Sequence, residues 1–229
     1  MCGRYSLTRK GDQVATLFKL DAPPKLAPRY NIAPTQPIGA VTLTSHTGKT
    51  QWRHFTWGLI PRWAKDVSIG AGMINARSET ASEKPAFRAA IKYRRCLLPA
   101  DGFYEWQKRG GLKQPMHVTL ADDTLFAFAG LWECWQGPDG SEIESATILT
   151  TDANEMLAEI HPRMPVILRP DDYDHWLDPA QQNPAAVTPM LRPLPAELVL
   201  ARPVGCHVNN ARHEGARCWQ APPKQTMFE

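Results

Sequence analysis

Cys96-Leu97-Leu98-Pro99-Ala100-Asp101-Gly102-Phe103-Tyr104-Glu105-Trp106 is the stretch from which the fold is read. Successive side chains of a strand point to opposite faces, so a strand over 103–107 puts Glu105 beside Phe103 on one face and Tyr104 beside Trp106 on the other. Residues 108–114 contain Gly110-Gly111, which suit a tight turn, and 115–120 return as the partner strand of a hairpin. The same signal recurs outward in both directions. Residues 38–44 and 51–57 predict a hairpin around a Ser-His-Thr-Gly-Lys turn region, 73–77 a short extended segment, and 125–131 and 143–151 strands flanking an acidic, glycine-containing loop. Helices are short. Val14, Leu17 and Phe18 mark one over 11–20. Residues 82–93 predict a second, with Ser82 as N-cap and Pro85 in the first turn. A capping box from Asp152 to Glu155 opens a third, with Met156, Leu157 and Ile160 apolar and its end near His161, before Pro162. Residues 170–177 predict a fourth. Five prolines between 21 and 37 predict coil there, and the proline-rich run to Pro195 predicts a surface crossing.

The chain of 229 residues is 43% hydrophobic and 21% charged, the composition of a globular protein with a sizeable core. No apolar run reaches membrane-spanning length and no signal-peptide pattern is visible, so the expectation is a protein inside the cell. Five cysteines, an odd number without a CxxC, point to reduced thiols. Residues 1–117 hold 19 Lys and Arg against 7 Asp and Glu, whereas 118–229 hold 7 against 16. Either one face is basic and meets a polyanion, or the halves interleave and neutralise each other.

Met1-Cys2-Gly3-Arg4 carries distinctive chemistry. If Met1 is removed, Cys2 bears a free amine and a thiol on adjacent carbons. Such a pair condenses with an aldehyde to an imine and closes through sulfur to a thiazolidine. Gly3 leaves room for a substrate to approach and Arg4 adds a permanent cation. The bland alternative is an ordinary cysteine near a chain end. Trp63, between Arg62 and Lys65, is either a stacking platform for an unpaired base or a core residue. Asn75 and Arg77 point to one side of their segment. Glu105 among aromatics is either a carboxyl with a raised pKa, suited to proton transfer, or a salt-bridged surface residue. His161 is either a proton donor biased towards its cation by a helix C-terminus or a simple cap. Arg88 and Lys92 fit a solvated helix face. Cys206, His207, His213 and Cys218 match no zinc spacing, and phosphate-loop, dinucleotide and GxSxG patterns are absent.

Taken together, the stretch beginning Met1-Cys2-Gly3-Arg4-Tyr5, then Arg29-Tyr30-Asn31-Ile32-Ala33-Pro34, Trp57-Gly58-Leu59-Ile60-Pro61, Ile74-Asn75-Ala76-Arg77-Ser78-Glu79-Thr80, the opening stretch from Cys96 to Trp106, and His161-Pro162-Arg163-Met164-Pro165 resemble the SOS response-associated peptidase (SRAP) family, in family order over nearly the whole chain. The resemblance implies a single α+β domain over 1–229 with a barrel-like sheet, peripheral helices and a basic groove, and a tail that is flexible after about 219. It implies a sensor of abasic sites in single-stranded DNA that crosslinks to the ring-opened sugar aldehyde through Cys2, with peptidase-like self-processing to expose that residue and lyase-like chemistry. By the same resemblance Asn75 positions the Cys2 amine and thiol, Glu105 transfers protons, His161 assists ring opening, Arg4, Asn31 and Arg77 hold phosphates, and Trp63 stacks on a base. No cofactor or metal is implied, and the expectation is a cytoplasmic, DNA-associated monomer.

Two departures stand out. Ala64 follows Trp63 where the family often has a second aromatic, and His213 precedes Glu214 in the C-terminal pattern that begins Val208-Asn209. Three competing readings remain: an N-terminal-cysteine hydrolase of the glutamine amidotransferase type, a non-covalent single-stranded DNA-binding module, and a peptidase acting on other proteins.

Overall fold

Strands with one apolar face must be covered or must close on themselves. In the computed structural model, which describes residues 2–44 and 47–223, both solutions occur. The strands are β1 (Tyr5–Leu7), β2 (Arg29–Ile32), β3 (Pro37–Leu43), β4 (Thr50–Trp57), β5 (Asn75–Arg77), β6 (Arg95–Ala100), β7 (Gly102–Arg109), β8 (Leu112–Leu120), β9 (Phe126–Gln136), β10 (Glu142–Asp152), β11 (Arg163–Pro165), β12 (Ile167–Leu168) and β13 (Val199–Pro203). The α-helices are α1 (Gly11–Phe18), α2 (Ala90–Tyr93), α3 (Glu155–Ala158), α4 (Tyr173–Leu177) and α5 (Pro184–Val187). No described helix is long and apolar enough to cross a membrane.

Five strands form a closed ring, β10-β4-β3-β6-β9 and back to β10, every pairing antiparallel except that of β4 with β10. A second sheet, β13-β8-β7-β1-β2, lies against the barrel. Tyr5 and Phe103 face inwards there, and both meet the Phe128 ring of the barrel edge-on. All six residues of β6 are buried, because α4 covers the outside of the barrel at that strand and the Trp176 indole donates to the Cys96 carbonyl at 2.9 Å.

The two hairpins read from sequence are present. β3 pairs with β4 from Pro37↔Thr56 to Leu43↔Thr50; two turn residues, Ser45 and His46, lie outside the described residues. β7 pairs with β8 from Phe103↔Val118 to Arg109↔Leu112, and the loop is Gly110-Gly111 alone, with φ of 52° and 81°. Left-handed backbone at two consecutive positions is what glycine tolerates and other residues resist, so this turn brings the strands back with no longer loop.

Other expectations are corrected. The helix over 82–93 shrinks to α2, preceded by turns. Pro85 has no N–H, and after the Arg88 N–H to Lys84 carbonyl bond the next bond is from Ile91 to Phe87. The cap of α3 is Asn154, whose side chain accepts from the Leu157 N–H at 2.9 Å, while Asp152 ends β10 and binds Arg163. The proline-rich coil contains β2, paired with β1, and the stretch before Asp101 is a strand. The surface crossing before Pro195 buries Val187, Leu191 and Leu194.

Three local features aim the chain at one place. Asp101, at the β6–β7 junction, accepts from the Ser6 hydroxyl (2.7 Å) and from the Thr8 backbone N–H and hydroxyl (2.5 and 2.6 Å), fixing β1 and hence the residues before it. Gly58 has φ of 126°, and any Cβ there would lie 2.4 Å from the Gly70 carbonyl oxygen, so the chain entering the 59–73 loop touches the chain leaving it. That contact delivers β5 to β10, where it takes over from β4 as the parallel neighbour, Ile148↔Asn75 to Thr150↔Arg77. β11 joins β10 in the same region, Thr150↔Pro165 to Asp152↔Arg163.

Candidate functional site

The C-terminal end of β10 therefore gathers β5, β11 and the approach to β1. Cys2 has no exposed surface. The Asn75 amide donates to the Cys2 carbonyl at 2.8 Å, so a residue 73 positions along the chain fixes the N-terminal backbone. Among the described residues Asn75 Oδ1 has no hydrogen-bond partner, leaving a buried acceptor beside Cys2. Tyr5 pairs with Phe103 and the Tyr104 N–H donates to the Arg4 carbonyl at 2.9 Å, which runs Glu105 alongside the residues that follow Cys2. Glu105 is only 5% exposed.

The electrostatics follow from this burial. Desolvation, reinforced by the Glu105 carboxylate, pushes the Cys2 thiol far above the usual range, so it is held as the neutral thiol. Desolvation also raises the Glu105 carboxyl, with His161 nearby opposing the shift. Cys2, Asn75, Glu105 and His161 thus converge on one site, although four separate segments supply them.

His161 follows a single helical turn, not a long helix, with its N–H donating to the Leu157 carbonyl at 2.9 Å. Its ring is oriented by the chain just beyond: the Arg163 N–H lies 3.0 Å from Nδ1 and the Arg163 carbonyl oxygen 3.1 Å from the same atom. One nitrogen therefore has an acceptor partner for its protonated form and a donor partner for its bare form. The Arg163 guanidinium bonds both oxygens of Glu79 (2.9 and 2.8 Å), Asp152 (2.6 Å) and the Thr150 carbonyl (2.7 Å). It ties the segment after β5 to β10 and β11. Sequence reading passed over this clamp although Arg163 and Glu79 both stand in the quoted motifs.

The residues expected to hold DNA divide. Arg77 is exposed, two residues beyond Asn75. Trp63 is 58% exposed on the 59–73 loop, between exposed Arg62 and Lys65. Ala64 is buried against Ile60 and Trp135, and the Trp135 indole donates to its carbonyl at 2.8 Å, so this position anchors the loop. Arg4 and Asn31 are different. Asn31 has no exposed surface, and its amide donates to the carbonyls of Asn210 (3.0 Å) and His213 (2.8 Å). Arg4 Nη1 donates to Asn31 Oδ1 and to the Val208 carbonyl, both at 2.8 Å. No surface of Asn31 remains for a phosphate.

The basic and acidic halves interleave. Arg9–Asp123, Lys19–Asp174, Arg29–Glu214, Arg53–Glu144, Arg94–Glu133 and Arg163–Glu79 are all ion pairs between one half and the other. Among the described residues no group of three His, Cys, Asp or Glu could hold a metal ion. His207 and His213 stack on each other, centroids 4.1 Å apart, and Cys218 is buried beneath Tyr104.

Comparison with known proteins finds similarity along most of the chain. The family model of SOS response associated peptidase (SRAP) matches residues 1–211. The abasic site processing protein YoqW of Bacillus subtilis (strain 168) is 41% identical over 217 residues, covering 93% of this chain and 96% of that protein. The abasic site processing protein HMCES of Gallus gallus is 32% identical over 222 residues, covering 83% of this chain and 65% of that protein. A crystal structure of a protein from Bacteroides thetaiotaomicron aligns with a TM-score of 0.84 at 26% identity, over 96% of this chain and 99% of that one.

Proposed function

The chain belongs to the SOS response-associated peptidase family, and from that membership we propose that it processes abasic sites in single-stranded DNA by forming a covalent thiazolidine through Cys2. The observation that carries the reading is the buried Cys2, its carbonyl held by Asn75 and its thiol beside a carboxyl of raised pKa. The family's relatives named for abasic site processing supply the substrate class.

Removal of Met1, which lies outside the described residues, leaves the Cys2 amine as nucleophile. The abasic deoxyribose opens from its hemiacetal to an aldehyde and a hydroxyl; His161 protonates the ring oxygen as it departs. The amine nitrogen attacks the aldehyde carbon, and the carbonyl oxygen takes up two protons and leaves as water, giving an imine. The Cys2 sulfur then bonds to the imine carbon while its proton ends on nitrogen. One water is lost and no oxidant is required. A thiol held neutral by burial needs a base at the moment of ring closure, and a carboxyl with a raised pKa is matched to accept that proton and return it. Asn75 Oδ1 is an acceptor for the amine. Arg77 neutralises a flanking phosphate and Trp63 stacks on a base next to the lesion.

Intact-protein mass spectrometry tests the reading. After incubation with a single-stranded oligonucleotide carrying one abasic site, the expected product has the mass of protein lacking Met1 plus DNA minus one water, survives denaturation, and is absent with an undamaged strand or with Cys2→Ala. Absence of the adduct in protein shown to lack Met1 refutes the covalent reading and leaves non-covalent DNA binding.

A further inference from the structure

Arg4 and Asn31 share an arrangement that a phosphate contact does not require. Both are directed at backbone carbonyls of residues 208–213, and the guanidinium of Arg4 also lies over the Trp106 ring, 5.8 Å from its centroid. The surrounding contacts repeat the pattern. The Trp106 indole donates to Asn209 Oδ1 at 2.8 Å, and the Tyr30 N–H to the Glu214 carboxylate at 2.8 Å. Gln114 donates to the Val204 carbonyl at 2.8 Å, and Trp219 packs edge-on against Tyr30 and flat against His117. Segment 204–219 thus lies across the outer face of the β7–β1–β2 sheet, where Val204, Val208 and Cys218 are buried with Tyr104. Its connection to the reactive end is short. Arg4 is two residues from Cys2, and its carbonyl accepts from the Cys2 thiol at 3.9 Å.

We propose that segment 204–219 is a strap that seats Cys2, with Arg4 and Asn31 as positioning residues that fasten it. A cation without a carboxylate partner among the described residues, half-buried under Trp106 and bonded to Val208 and Asn31, holds residues 2–4 in the conformation in which the Asn75 amide meets the Cys2 carbonyl. With the strap loose, the N-terminus frays and the thiol reaches solvent. The proposal rests on Cys2 being the reactive residue as read above, but the state of its thiol can be measured without any DNA.

The test compares wild type, Asn31→Ala and Trp106→Phe in three measurements. These are iodoacetamide alkylation of Cys2 in DNA-free protein, followed by peptide mass spectrometry; the salt dependence of binding to an undamaged strand; and the crosslinking rate at saturating abasic strand. Loss of buried hydrogen bonds is expected to raise Cys2 alkylation about tenfold or more in Asn31→Ala, and to slow crosslinking by a similar factor. Affinity for undamaged DNA and its salt slope should stay at the wild-type values. Trp106→Phe removes one donor to the strap and should move alkylation and crosslinking in the same direction by less; it decides the matter alone if Asn31→Ala does not fold. Unchanged alkylation in the folded variants overturns the strap. So does weaker binding to undamaged DNA with a salt slope shallower by about 0.7, the signature of one lost phosphate contact to a single strand. If wild type itself forms no crosslink, the covalent reading fails while alkylation and salt dependence still decide the strap.

Discussion

Glu105 is the residue at which burial becomes chemistry. A carboxyl 5% exposed beside a buried thiol has its proton affinity raised by desolvation. The folded state then binds the proton more tightly than the unfolded state does, so the stability this group contributes is fully present below the ordinary carboxyl value and is lost as pH rises through the raised one. Glu105→Gln should remove that decline, measured as the pH dependence of the urea midpoint. The same variant should slow crosslinking about 10²–10⁴-fold, the usual range for a lost general acid–base group, in a gel-shift time course on denatured samples. Slowed crosslinking with the wild-type pH profile of stability would mean that the carboxyl acts without the raised pKa. The residue type and its aromatic surroundings were legible in the sequence, because alternation alone placed Glu105 with Phe103. The setting of Asn31 was not, since its partners are backbone carbonyls more than 170 residues away and carry no side-chain signature.

Among the elements, hairpins were the most readable because a local turn fixes their register. Gly110-Gly111 determines the pairing of β7 with β8, and period-two alternation does the rest. Closure of the barrel was not readable from local pattern. β9 and β10 are neighbours in sequence, but the parallel pairing of β10 with β4 and β5 joins segments about 70 to 90 residues apart. β13 escaped notice because its five residues mix exposed and buried positions on an edge strand. It contributes to a cluster with a testable pH response. His117 on β8 is stacked on Trp219 and Tyr104, with Arg202 of β13 3.3 Å from Nδ1 and the Ser6 hydroxyl 3.4 Å from Nε2. Burial, and then the Arg202 cation, lower its pKa from 6.5 to about 3. The folded state therefore holds His117 neutral, and the stability this contributes is present above pH 6.5 and lost as pH falls towards 3. His117→Gln should flatten the acid side of the stability curve between those values, followed by tryptophan fluorescence. A curve as steep as that of wild type would show that another group drives acid unfolding.

At the scale of the whole molecule, the charge asymmetry of the sequence does not survive folding as a basic hemisphere. Six ion pairs cross between the halves, five of them drawing a cation of residues 1–117 to an acid of 118–229. The reason is topological: β1, β2 and β7 of the first half share a sheet with β8 and β13, and β4 and β5 lie along β10, so no boundary separates the halves. Arg62, Lys65 and Arg77, exposed around Trp63 and Asn75, make no ion pair among the described residues. The number of phosphates neutralised by a single strand should accordingly follow these local cations and not the excess of the N-terminal half. With about 0.7 of a counterion released per contact, three contacts give a slope of log K against log salt near −2, whereas engagement of the whole excess would give about −8. Titration of the Cys2→Ala protein with an undamaged strand at several salt concentrations measures this without interference from crosslinking. A slope steeper than about −4 would show that the strand also engages cations away from Trp63 and Asn75, such as the exposed Lys84 and Arg88, which likewise make no ion pair among the described residues.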